Sequence, residues 1–122
     1  MQPGGKSVLL VEDDDDVRGA VAAVLEGEGY RVVEATHGAE ALQCLRGSTL
    51  VCMILLDLWM PVMNGFEFRA EQLKDPALAA VPVVVITADR AAARKATDLG
   101  VLACMTKPIE FEQLLGFLEQ YC

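Results

Sequence analysis

The stretch Val51-Cys52-Met53-Ile54-Leu55-Leu56-Asp57 runs apolar for six residues and ends on a carboxylate. A continuous apolar run of that length, without polar alternation, fits a strand buried on both faces, as in a parallel sheet. Leu58-Trp59-Met60-Pro61 follows, so Asp57 leaves the strand at its carboxyl tip, where ligands bind in open α/β sheets. Burying a polar group without compensation costs on the order of 2–7 kcal/mol. The chain offers two compensators. Glu12-Asp13 follows another apolar run and suits a shared metal ion, and Lys107-Pro108 follows a third and brings a cation.

Outward from this strand, apolar runs and helical periodicities alternate. Residues 1–6, with Pro3-Gly4-Gly5, read as a short flexible lead, and residues 7–122 as a single domain. Ser7-Val8-Leu9-Leu10-Val11 is a buried strand, and Val17, Val21, Val24 and Leu25 then line one face of a helix stopped at Gly27 and Gly29. Tyr30-Arg31-Val32-Val33-Glu34 is a second strand, followed by a helix carrying Leu42 and Leu45 and ended by Gly47-Ser48. Asn64-Gly65 opens a third helix with Phe66, Ala70 and Leu73 on its apolar face, closed by Asp75-Pro76. Residues 81–86 form the fourth strand, with Pro82 near its start. Asp89 caps a helix over 90–99 and Gly100 stops it. Residues 101–106 form the fifth strand, and Phe111, Leu114, Leu115 and Leu118 line the final helix. Such alternation implies right-handed crossovers and a parallel sheet covered on both faces. All strand tips then share one edge, where Asp13, Asp57, Thr87 and Lys107 converge.

A chain of 122 residues, 53% of them hydrophobic, buries one core. Its net charge of −8 and scattered basic residues argue against direct nucleic-acid binding, which needs clustered Lys and Arg. Cysteines 44, 52, 104 and 122 show no C-x-x-C spacing, and Cys52 and Cys104 lie in apolar runs. Reduced, cytoplasmic thiols are expected. No apolar stretch reaches the roughly 18 residues that span a bilayer, and no leader pattern is present, so neither membrane contact nor secretion is expected.

The chain resembles the receiver domain of bacterial two-component response regulators, of the chemotaxis-regulator type, over residues 6–121. The resemblance is carried by Val8-Leu9-Leu10-Val11-Glu12-Asp13 with Arg18 beyond it, Asp57-Leu58-Trp59-Met60-Pro61 with Met63-Asn64-Gly65, Ile86-Thr87-Ala88, and Thr106-Lys107-Pro108. It implies a flavodoxin-like (βα)5 fold, a doubly wound five-stranded sheet in the order 2-1-3-4-5. It also implies that Asp57 is the nucleophile taking a phosphoryl group from a sensor histidine kinase or phosphotransfer protein. By the same resemblance Mg²⁺ is held by Asp13, Asp57 and the Trp59 backbone carbonyl, with Glu12 acting through water. Lys107, the Thr87 hydroxyl and the Ala88 backbone N–H then meet the phosphoryl oxygens, and a cis bond precedes Pro108. The face made by the helix over 90–99, the fifth strand and the final helix is the switch, read by a downstream output domain or protein.

The chemistry supports these roles independently. Phosphoryl transfer needs in-line positioning and neutralised oxygens more than proton transfer. Crowded carboxylates raise one another's pKa unless a divalent cation relieves them, and Mg²⁺ prefers hard oxygen ligands. Asp14, Asp15 and Asp16 read as a solvated first helical turn. A calcium loop beginning at Asp14 fails, because Arg18 and Leu25 fall at ligand positions. His37, the only histidine, reads as an exposed turn residue without a phosphorelay role. Where the family has an aromatic switch partner for Thr87, this chain has Cys104. Trp59 and Asp89 sit two residues past Asp57 and Thr87, at positions that face the site in the family. The domain reads as a switch more than an enzyme. The alternatives are a phosphorylation-independent interaction module of the same fold and an aspartyl-nucleophile phosphohydrolase, the latter disfavoured because Trp59 cannot act as an acid–base group.

Overall fold

The computed structural model describes residues 6–47 and 50–122. Five parallel strands, β1 (Ser7–Val11), β2 (Arg31–Ala35), β3 (Met53–Leu56), β4 (Val83–Thr87) and β5 (Ala103–Thr106), lie in the order β2-β1-β3-β4-β5. This is the doubly wound, flavodoxin-like sheet that the resemblance implies. The helices are α1 (Asp15–Gly27), α2 (Gly38–Arg46), α3 (Gly65–Lys74), α4 (Pro76–Ala79), α5 (Arg90–Ala96) and α6 (Phe111–Tyr121), with a 3-10 turn over Thr97–Leu99. The expected lead falls, apart from Lys6, outside the described residues, as does Ser48 of the expected helix stop.

Alternate strand residues face opposite sides of the sheet, and they divide the core in two. Leu9, Val11, Ile54, Leu56, Val83 and Val85 meet Leu42 and Leu45 of α2, Phe68 of α3 and Ala92 and Ala96 of α5. Val8, Leu10, Leu55, Val84 and Ile86 meet Val21 and Leu25 of α1 and Leu114 and Leu118 of α6. β1, β3 and β4 are buried at every position, which is why they read as unbroken apolar runs. Among the described residues no helix is long and apolar enough to cross a membrane.

Two local readings require correction, and another gains a detail. The apolar face expected for α3, Phe66, Ala70 and Leu73, is not the buried one: Ala70 is exposed and Leu73 is 48% exposed. Gly65, Phe68, Arg69 and Gln72 point inward instead. Gly65 decides this orientation, because a Cβ there would stand 2.6 Å from the Asp57 carbonyl oxygen and 2.8 Å from Leu58 Cα. Only a glycine lets the helix start lie that close to the strand end. Arg69 and Gln72 are then buried with partners. The Arg69 guanidinium donates to the carbonyls of Leu99 (3.0 Å) and Gly100 (3.1 Å) and to Gln72 Oε1 (2.7 Å). Gln72 donates onward to the carbonyls of Leu78 and Val81. Burial with no facing carboxylate holds the Arg69 pKa below its ordinary value.

Second, Asp75 closes α3 but also caps the single turn of α4, accepting from the Ala77 N–H at 3.0 Å, with Pro76 at the first helical position. Third, the four thiols are not all reduced: Cys52, just before β3, and Cys122, just after α6, form a disulfide with their Cα atoms 5.4 Å apart. A separation of 70 residues hides such a pair from spacing rules, which see only local motifs. Cys44 and Cys104 are free and half-buried.

Candidate functional site

The carboxyl edge of the sheet carries the site, and backbone hydrogen bonds fix its residues one step past the ladder. Glu12 N–H donates to the Ala35 carbonyl (3.0 Å), Asp57 N–H to Val11 (3.0 Å) and Lys107 N–H to Thr87 (2.8 Å). Each carrier of charge therefore has the sheet's own register. The Lys107-Pro108 peptide is cis. Asp14 caps α1 through Oδ1, accepting from the N–H groups of Asp16 and Val17. Arg18 reaches back to the Glu12 carbonyl at 3.0 Å while pairing with Asp15 and Glu34. That tie orients the acidic loop, and Asp14 and Asp15 serve structure, as expected.

The loop after β3 is equally constrained. Asn64 and Glu67 form a reciprocal capping box at 2.9 Å in both directions. Val62 takes a φ of 68°, uncommon for a β-branched residue, between Pro61, whose carbonyl accepts from Met63 N–H, and Met63, whose carbonyl accepts from Gly38 N–H.

Glu12, Asp13 and Asp57 each offer a carboxylate oxygen within 4.8 Å of the others. Glu12 and Asp57 are 4% and 8% exposed, whereas Asp13 is open to solvent. Lys107 Nζ donates to Glu12 Oε1 at 2.7 Å and to Asp57 Oδ2 at 3.4 Å. Burial pushes the Glu12 carboxyl up and Asp57 adds to this, with Lys107 only partly offsetting them. Asp13 is raised by desolvation and then by Glu12. Burial alone pulls the Lys107 ammonium down, but Glu12 and Asp57 outweigh it and raise it. An isolated ion pair would lower its acid while raising its base. Here one ammonium pairs with Glu12 and Asp57 while Asp13 adds a third carboxylate, so the cation is stabilised and anionic charge remains in excess. Hard oxygen donors, one of them facing water and all short of positive charge, fit a divalent cation.

Thr87 ends β4, the neighbour of β3, and is fully buried; its Oγ1 accepts from the Asp89 N–H at 3.2 Å. Ala88, next in the chain, is exposed. Cys104 stands opposite Val85 on β5 and packs against the core on the α5 side, where burial raises its thiol pKa. The structure thus brings Glu12, Asp13, Asp57 and Lys107 together, with Thr87 and Ala88 on the adjacent strand end.

Two features escaped the sequence. Trp59 Nε1 donates to Asp89 Oδ2 at 3.1 Å, a bond between residues read separately as facing the site. His37 is the N-cap of α2, its Nδ1 accepting from the Glu40 N–H at 3.2 Å, and is half-buried, not an exposed turn residue. A residue before Gly38 at a helix start carried that signal.

The sequence matches the response regulator receiver domain family over residues 8–119. It is 36% identical to a transcriptional regulatory protein, CpxR homolog, of Haemophilus influenzae, covering 89% of this chain and 47% of that protein. The fold is similar to the chemotaxis response regulator CheY4 of Vibrio cholerae, with TM-score 0.83 and 29% identity over 95% of this chain and 98% of that one. It is also similar to the Mn(2+)-bound form of the response regulator Rcp1, with TM-score 0.75 and 28% identity over 94% and 90% of the two chains. The family match spans nearly the whole chain and the fold is one that these solved regulators share, so the chain belongs to the response regulator receiver domain family.

Proposed function

We propose that residues 7–122 act as a phosphoacceptor switch in which Asp57 takes a phosphoryl group from a histidine kinase or phosphotransfer protein. The carrying observation is the Asp57 carboxylate at the tip of β3, sharing a three-carboxylate cluster and lying 3.4 Å from Lys107 Nζ. In the transfer, an Asp57 oxygen forms a bond to phosphorus as the phosphorus–nitrogen bond of the phosphohistidine breaks, and the histidine keeps the electron pair. Asp13, Asp57 and the Trp59 carbonyl would hold Mg²⁺, with Glu12 acting through water. That ion, when bound, neutralises charge on the phosphoryl oxygens. Lys107 supplies a fixed positive charge to one oxygen, and the Thr87 hydroxyl and Ala88 N–H donate to others.

Phosphorylation biases a pre-existing equilibrium at the face of α5, β5 and α6, which a downstream output domain or protein reads. The domain is a switch that assists its own phosphorylation and hydrolysis. A Mn(2+)-bound protein of similar fold supports a divalent ion for this chain, and a relative about twice as long supports an output domain as partner.

Incubation with a small acyl phosphate and Mg²⁺, followed by intact mass, tests the reading. Wild type should gain one phosphoryl group and Asp57→Ala none. No gain, as a phosphorylation-independent module would show, overturns it. So does a gain that survives Asp57→Ala, or steady phosphate release from varied esters.

A further inference from the structure

Cys104 stands where the resemblance calls for an aromatic side chain coupled to Thr87. A small, half-buried thiol packed into the core on the α5 side cannot carry a ring's motion to the surface. Thr87 has another neighbour that can. Its Oγ1 accepts from the Asp89 N–H, and the Asp89 carboxylate divides its two oxygens between separate elements. Oδ1 accepts from the N–H groups of Ala91 (2.9 Å) and Ala92 (3.1 Å) at the start of α5. Oδ2 accepts the indole N–H of Trp59 at 3.1 Å. The indole in turn packs on Phe66 at the start of α3, with ring centroids 5.8 Å apart.

The two ends of α5 are held very differently. At the end of its 3-10 extension, the carbonyls of Leu99 and Gly100 are bound by the buried guanidinium of Arg69. At its start the tie is a hydrogen bond to a side chain that is 52% exposed, where water competes for both partners. Unmaking the Arg69 contacts strands buried polar groups, whereas opening the Trp59 contact does not. The near end can release while the far end stays fixed.

We infer that Trp59 and Asp89 form a latch that couples Asp57 chemistry to the start of α5, with Trp59 taking the reporting part that an aromatic residue at position 104 would fill. The inference rests on the phosphoacceptor reading. As Thr87 turns toward a phosphoryl oxygen, it draws on or drops its bond from the Asp89 N–H. Asp89 then shifts relative to Trp59, the indole is released, and the first turn of α5 swings about the end held by Arg69.

Trp59 is the only tryptophan, so its emission reports the latch. Asp89→Asn separates the two bonds: the amide oxygen can still cap Ala91 and Ala92, while its NH₂ arm cannot accept from the indole. On the full chain with Mg²⁺, with and without a small acyl phosphate, phosphoryl load is read by mass, latch state by emission, and the start of α5 by hydrogen exchange at Ala91 to Ala93. In wild type, phosphorylation should shift the emission and raise that exchange severalfold. In Asp89→Asn both should already lie at the phosphorylated values and move no further, although the mass still shows one phosphoryl group. Trp59→Phe, which keeps an aromatic contact with Phe66, should raise exchange before phosphorylation in the same way. A variant that responds like wild type, or a phosphorylated wild type unchanged in both signals, overturns the latch. A wild type that takes no phosphoryl group defeats the receiver reading instead. The latch is then decided by the unphosphorylated proteins alone, and equal exchange in wild type and Asp89→Asn overturns it.

Discussion

The two ends of the sheet are built on opposite terms. At the carboxyl end, Glu12 and Asp57 share one ammonium beside the exposed Asp13, and negative charge is left in excess. At the other end, Cys52 and Cys122 join the approach to β3 to the end of α6 by a covalent bond. One end is open to exchange of partners and the other is closed. The proposed switch requires both, because a site that accepts and releases charge must sit on a frame that does not follow it.

Opening the closed end should have the largest effect. A disulfide closing a loop of this length stabilises by about 4 kcal/mol in the chain-entropy picture, against the unfolded state. Cys122→Ser should lower the denaturant midpoint accordingly while leaving Mg²⁺ affinity unchanged, as titration of Trp59 emission would show. A change in ion affinity would mean that the two ends are not independent.

Gly65→Ala is the sharpest test of the open end. The added methyl would stand 2.6 Å from the Asp57 carbonyl oxygen, and backbone must move to admit it, at about 1–3 kcal/mol. Because the displaced backbone is that of Asp57, Mg²⁺ affinity should fall together with thermal stability. Wild-type ion binding in this variant would show that the strand tip does not position the carboxylate.

A smaller effect separates the ends by pH. Glu12 and Asp13 have carboxyl pKa values above their ordinary ones. Raised acids contribute stability that is present below the unfolded pKa and lost as pH rises through the folded one. Mg²⁺ relieves that loss, so its increment to the melting temperature should be largest at neutral pH and shrink as pH falls through the raised range. The effect of Cys122→Ser should show no such dependence. The smallest change expected is Asp14→Ala, which removes the α1 cap beside the acidic loop at about 1 kcal/mol, measurable by urea unfolding.

The strands were legible because burial on both faces leaves little but apolar residues in β1, β3 and β4. The site followed from them, since Asp57, Glu12 and Lys107 all stand immediately beyond or within a residue of a strand end. The buried face of α3 was not legible. Periodicity favours Phe66 and Leu73, but a steric requirement at Gly65 turns Arg69 and Gln72 inward, and their partners on distant loops satisfy them. The disulfide and the Trp59–Asp89 bond were hidden for a related reason. Each joins segments that only the folded sheet brings together, 70 residues apart in one case and 30 in the other.

Glu12, Asp57 and Lys107 remain tied by their main-chain N–H groups to neighbouring strands. Their places are therefore written in the backbone, whatever side chains they carry. On the proposed reading, a single codon change at Asp57 removes the phosphoryl group's attachment point and leaves these backbone ties in place. Descent within such a lineage then turns the proposed reversible messenger into a permanent adaptor without passing through an unfolded ancestor.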